Sequence, residues 1–269
     1  LSRDVNRFAS VLKKLGIGKG DKVAFYLPMI PELPVFMLAC GRIGAVHTVI
    51  FSGFSPQAIA DRVNDIQAKL IVTADGGYRR GKIVKLKEIT NEAMKLCPCV
   101  KKVIVIKRTG EVIPWIDGRD IWLSSLLDDA ESFVEPEPME ATHPLYILYT
   151  SGTTGKPKGV IHSTGGYLVH SHSTYQWVFN IREESVFWCT ADVGWVTGHS
   201  SIVYGPLSHG ASIVIYEGAA DYPTIDRWWD IIEKYGVTIF YTSPTALRMF
   251  MRSGEKWLAK HNLSSLELL

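Results

Sequence analysis

The sequence predicts an α/β fold of largely parallel sheets covered by helices. Three observations predict it. Short runs rich in β-branched and aromatic residues recur along the chain, and stretches with helical spacing lie between most of them. The runs are also apolar almost throughout instead of alternating, as strands buried on both faces are.

The elements follow in order. An amphipathic helix is expected over 2–15, then the strand KVAFYL (22–27). A helix over 31–43 leads to the strand VHTVIF (46–51). Ser55-Pro56 starts a helix over 56–68, because a serine hydroxyl caps free N–H groups and proline suits a first turn. LIVTA (70–74), a helix over 84–96 and VIVI (103–106) come next. Segment 128–142, DDAESFVEPEPMEAT, changes the texture: it is acidic, contains prolines and lacks apolar periodicity. It reads as a surface linker between a first α/β subdomain, 1–127, and a second, 143–269. The second contains LYILYT (145–150), a helix over 165–179, VFWCTA (186–191), ASIVIYE (211–217), a helix over 222–235 and VTIFYTS (237–243). Ser243-Pro244 marks one further helix start.

Composition narrows the functional classes. Hydrophobic residues make up 46% and charged residues 21%, an ordinary globular balance. A net charge of +2 is too small for a protein whose main partner is a nucleic-acid backbone, so any anion it binds is small and held locally. Of the cysteines at 40, 97, 99 and 189, only Cys97 and Cys99 are close, and their spacing is neither a redox pair nor a zinc knuckle. They read as reduced thiols of a cytoplasmic protein. Apolar stretches such as 33–40 fall far short of the about 20 residues of a membrane span. The N-terminus lacks the apolar run of a signal peptide and reads as a helix already under way, so the chain is expected to begin inside a longer protein.

The stretch LYTSGTTGKPKGVIHS (148–163) is the most informative. It is not the loop of P-loop nucleotide hydrolases: only Thr153 and Thr154 separate Gly152 from Gly155, and Pro157 follows Lys156. Its composition still suits phosphate. Glycines let backbone N–H groups close on an anion, while Thr150, Ser151, Thr153, Thr154, Lys156 and Lys158 add hydroxyl donors and compact positive charge. The loop leaves a buried strand at its carboxyl end, where open α/β sheets place ligands. A mobile polar hairpin with solvated lysines is the alternative that composition alone leaves open.

The ten residues TSGTTGKPKG (150–159) resemble the phosphate-loop motif of the adenylate-forming superfamily. TADVGWVTGHS (190–200) with YGPL (204–207) looks like the acyl-pocket segment of its acetyl-CoA synthetase branch, and VIFSGFSP (49–56) and TAD (73–75) are similar to that branch too. The resemblance implies part of the large N-terminal domain of an adenylate-forming enzyme. Such enzymes use Mg2+-bound ATP to turn a carboxylate into an acyl-adenylate, then pass the acyl group to CoA. It gives Thr150, Ser151, Gly152, Thr153, Thr154, Gly155, Lys156 and Lys158 the ATP phosphates. Trp195, Val196 and Thr197 fall to the acyl pocket, where the indole suits a two- or three-carbon acid.

Arg79, Arg80, Gly81 and Lys82 match the position that holds the 3′-phosphate of CoA, with Thr197 and Asp221 nearby. Asp221 departs from the asparagine usual in that branch, which puts that contact in doubt. Acetate, ATP and CoA are the expected partners, with no nucleic acid or membrane. Propionate or another short acid, and a non-catalytic nucleotide- or CoA-binding domain, are the alternatives. No metal site is expected: His170 and His172 do not share a helix face, and His199 and His209 lack ligand spacing. The family's adenine, ribose and Mg2+-ATP motifs and its C-terminal lysine are not found in 1–269. The chain is therefore expected to be a fragment without its own catalytic residue.

Overall fold

The computed structural model describes residues 1–150 and 157–269. The chain divides into two units, Leu1–Gly77 with Ile83–Tyr167, and Tyr78–Lys82 with Leu168–Leu269.

The first unit runs α1 (Ser2–Lys14), β1 (Lys22–Tyr26), α2 (Glu32–Ile43), β2 (Val46–Val49), α3 (Pro56–Ile66) and β3 (Leu70–Ala74). The short hairpin strands β4 (Gly77–Arg79) and β5 (Lys82–Val84) follow in sequence, with Tyr78–Lys82 belonging to the second unit; the first then resumes with α4 (Leu86–Met94), β6 (Lys102–Ile106), β7 (Asp120–Trp122), α5 (Leu123–Leu127), β8 (Pro144–Thr150) and β9 (Lys158–Ser163). The main sheet has the order β7-β6-β3-β1-β2-β8-β9. Its pairs are parallel except β8 with β9, which are antiparallel. The α/β class expected from sequence is therefore what the chain forms. Every residue of β2 and β3 is buried, the physical origin of the continuous apolar runs. Ser55 caps α3 by accepting the Ala58 N–H, with Pro56 in the first turn, as the sequence predicts.

The acidic segment 128–142 lies in this first unit. Side chains of the first two helices fasten it: Asn6 accepts the Val134 N–H at 2.9 Å, and Ser10 accepts that of Glu131 at 3.0 Å. Arg42 donates to the Val134 carbonyl at 2.6 Å. Apolar periodicity could not reveal this, because the segment is held through its backbone.

The second unit continues with α6 (Thr164–Phe179, begun in the first), β10 (Val186–Cys189), a helical stretch 196–207, β11 (Ser212–Ile213), α7 (Arg227–Tyr235), β12 (Ile239–Tyr241) and α8 (Pro244–Ser253). Its parallel sheet has the order β11-β10-β12. Trp188, Trp228, Trp229, Phe240 and Phe250 form its core. In the run 211–217 only Ser212 and Ile213 pair as a strand; Val214 still donates to the Phe187 carbonyl, and Val214 and Tyr216 pack on that aromatic core. The helix expected from 222 begins at Arg227, after turns around Pro223.

Two carboxylates stabilise the first unit from within. Lys87 and Asp120 are fully buried 2.7 Å apart. Arg119 and the Ile116 N–H also bind Asp120, while Asn91 and the Pro114 carbonyl accept from Lys87. Burial pushes the Lys87 ammonium down, and Asp120 opposes that shift. Asp75 accepts from the N–H groups of Gly76, Arg108, Thr109 and Gly110 at 2.7–2.9 Å. Burial raises its carboxyl, but those four donors outweigh burial and hold it below its ordinary value.

Asp120→Asn leaves Lys87 buried without its counter-ion, which is expected to cost about 3–5 kcal/mol in denaturant unfolding. An unchanged midpoint would refute a stabilising role for the pair. Asp75 gives a pH signature. Because its folded pKa is depressed, its contribution is full above the unfolded value and is lost as pH falls below about 4. Stability measured from pH 7 down to pH 3 should therefore fall less steeply in Asp75→Asn than in the parent chain.

Candidate functional site

The phosphate-loop candidates sit at the end of the β8–β9 hairpin. Thr150 pairs with Lys158 across it, and both are exposed. Ser151, Gly152, Thr153, Thr154, Gly155 and Lys156 lie outside the described residues. The residue before Thr150 anchors the strand. The Tyr149 hydroxyl donates to the Asp65 carboxylate at 2.5 Å, and the Arg62 guanidinium lies 5.4 Å from the centre of its ring. Gly159 passes close to that ring: a Cβ there would lie 3.3 Å from it. The hairpin's neck is thus fixed against α3, and its open end presents a hydroxyl and an ammonium.

The remaining candidates lie in the second unit. β10 delivers the chain to a loop at its carboxyl end, where the Asp192 carboxylate accepts the Gly194 N–H at 2.7 Å. Burial raises the Asp192 carboxyl; the Gly194 N–H and the charge of Arg79 oppose the shift. Trp195 precedes the helical stretch 196–207, whose middle, His199–Tyr204, widens into a π-helix. Such widening is frequent at functional sites. The His199 ring is buried and lies 3.2 Å from the Trp195 carbonyl. Gly198 is required here, since a Cβ would stand 2.1 Å from the Asp192 carbonyl oxygen. Trp195, Val196 and Thr197 are therefore placed by a tight backbone crossing, with Trp195 47% and Val196 48% exposed.

Arg79–Lys82 form the turn of the β4–β5 hairpin. Arg80 meets Asp221: Nη1 donates to Oδ2 at 3.0 Å, and Nη2 lies 2.9 Å from Oδ1. The Tyr78 N–H donates to the Glu217 carboxylate at 2.7 Å. The structure thus brings Arg80 and Asp221 together, and sets the charge of Arg79 against Asp192. Thr150 and Lys158 belong to the first unit. Sequence reasoning gave Asp192 and Glu217 no role. Asp192 had a readable signal, an aspartate two residues before a glycine just after an apolar strand; Glu217 had none. Among the described residues, no group of three or more His, Cys, Asp or Glu is arranged to hold a metal ion, and no helix is long and apolar enough to cross a membrane.

The family model described as AMP-binding enzyme matches residues 1–269. The whole chain is 57% identical to an acetyl-coenzyme A synthetase of Pyrobaculum aerophilum, covering 41% of that protein. It is 56% identical to one from Rubrobacter xylanophilus and 54% identical to one from Methanothrix thermoacetophila, covering 42% and 41% of them. The chain thus spans about two fifths of the length of these curated relatives.

Gly198→Ala forces the new methyl against the backbone of residue 192, where no side-chain rotation relieves it. The expected cost is about 1–3 kcal/mol, read by chemical denaturation. A neutral substitution would show that the crossing is looser than described.

Proposed function

The chain belongs to the AMP-binding enzyme family, and from that premise we propose that it is the part of an AMP-forming acetyl-CoA synthetase that grips the ATP phosphates, the acid and CoA. The observation that carries this reading is the match of its whole length to proteins named acetyl-coenzyme A synthetase.

In this reading an acetate oxygen attacks the α-phosphorus of ATP and pyrophosphate leaves, giving acetyl-adenylate. The CoA sulfur then attacks the acyl carbon, AMP leaves, and the thiol proton is lost to solvent or base. The first step concentrates negative charge on the departing phosphates, so fixed donors around them are its main requirement. Thr150, the loop 151–156 and Lys158 supply such donors, and the pairing of Thr150 with Lys158 supports it by setting hydroxyl and ammonium at one mouth. Mg2+ would enter with the triphosphate, held mainly by phosphate oxygens; hydroxyls and lysines suit those phosphates, not the metal.

Trp195, Val196 and Thr197 line the acid's site. Arg79, Arg80, Gly81 and Lys82 take the CoA phosphate, with Thr197 and Asp221 beside them. Free cysteines at 40, 97, 99 and 189 agree with a cytoplasmic setting.

In the complete protein, Trp195→Gly is expected to lower kcat/KM for acetate and raise it at least tenfold for acids two or three carbons longer, since one methylene in such a pocket is worth about 10- to 200-fold. An unchanged preference for acetate would remove Trp195 from the pocket. A parent protein that prefers propionate would correct the substrate and leave the chemistry standing.

A further inference from the structure

The turn Arg80-Gly81 joins β4 to β5, and both residues have positive φ, +50° and +73°. A two-residue hairpin loop with both φ values positive is a type I′ turn, which favours asparagine, aspartate or glycine. Gly81 is accounted for, because a Cβ on it would stand 2.1 Å from the Tyr222 hydroxyl. Arg80 is not. An arginine in the left-handed region carries a conformational cost. Its ion pair with Asp221 does not explain it. Side-chain exposures of 56% and 30% make it a surface pair, and such pairs add little to stability.

The geometry of that pair is the informative part. Nη1 donates to Oδ2 at 3.0 Å, while Nη2 lies 2.9 Å from Oδ1, an oxygen that accepts no hydrogen bond among the described residues, so the second arm is held by charge alone. A planar fork of this kind binds a phosphate monoester equally well. Arg79 and Lys82 flank Arg80-Gly81 in the turn, both exposed, and Arg79 is set against Asp192, so an anion arriving at the turn meets a basic cluster with Asp221 already seated on Arg80. The segment that brings Asp221 also fastens the hairpin through Glu217, so the carboxylate is held in register with the turn.

We propose that Arg80 is an anion-binding residue and that Asp221 occupies it as an internal stand-in, which an incoming phosphate monoester must displace. Asp221 thereby sets both affinity and selectivity. A monoanion gains little by exchanging one carboxylate for another, whereas a dianionic phosphate brings a second negative charge to the basic turn. The proposal rests on the reading that Arg79–Lys82 face the phosphate of CoA, and goes beyond it in giving Asp221 a competing role.

Calorimetry of the chain at low ionic strength, with CoA and with the form lacking its 3′-phosphate, tests both layers. Asp221→Asn is expected to bind CoA about three- to tenfold more tightly, leave the dephospho form unchanged, and lose much of its gain at high salt. Arg80→Asn, which suits positive φ, is expected to keep or raise the thermal midpoint and abolish the preference for CoA over the dephospho form. A structural ion pair gives the opposite pattern: lower midpoints in both variants and an unaltered preference. If Asp221→Asn gains no affinity while Arg80→Asn loses the preference, the stand-in is refuted and the phosphate site survives. Equal affinity for the two ligands in all three proteins, or binding of neither, overturns both.

Discussion

A row of aromatic rings across the main sheet is the interaction on which the first unit depends. Phe25 of β1 stacks on His47 of β2 at 5.8 Å, His47 on Tyr146 of β8 at 5.6 Å, and Tyr146 on His162 of β9 at 4.4 Å. The row joins four adjacent strands, so it ties the antiparallel hairpin at the sheet's end to the parallel core. Burial pushes His162 below its ordinary value, so the last ring stacks in its neutral form at neutral pH. With Tyr149 fixed to Asp65 and Arg62, the base of the loop 151–156 is set by packing before any ligand arrives.

The second unit handles charge differently. It gathers basic side chains at the turn 79–82 and opposes them with acids: Asp221 on Arg80, and Asp192 near Arg79. A net charge of +2 over the whole chain conceals this local balance. Because both arginines there have an acid near them, the field of the turn stays local and does not favour non-specific polyanion binding. The glycine at 198 lets the backbone cross itself beside Asp192, where a side chain would hold the two segments apart.

Much of the architecture was legible in the chain. β2 and β3 were readable because both their faces are buried, and α3 and α8 because Ser-Pro pairs open them and the serines cap them. The short hairpin β4–β5, strand β7 and the π-helix were not. Three-residue strands carry too little periodicity, and a π turn is set by what the helix packs against. At the candidate site, residue types and spacing suit phosphate at 150–158, whereas 195–197 and 79–82 stand out only through the resemblance of their motifs to the family's. Glu217 escaped because a single carboxylate gains meaning only from its neighbours, whereas the strand-end position of Asp192 before Gly194 was readable.

The sequence by itself determined the α/β class and the order of the longer strands and helices, because burial periodicity is a local property. Only the tertiary structure decided that 128–142 is fastened to the first two helices through its backbone, and that 79–82 clusters with 168–269. It alone set Asp221 against Arg80, a pair separated by 141 positions. The reason is physical: a charge pair's worth depends on distance and orientation, which the fold creates and the order of residues does not state.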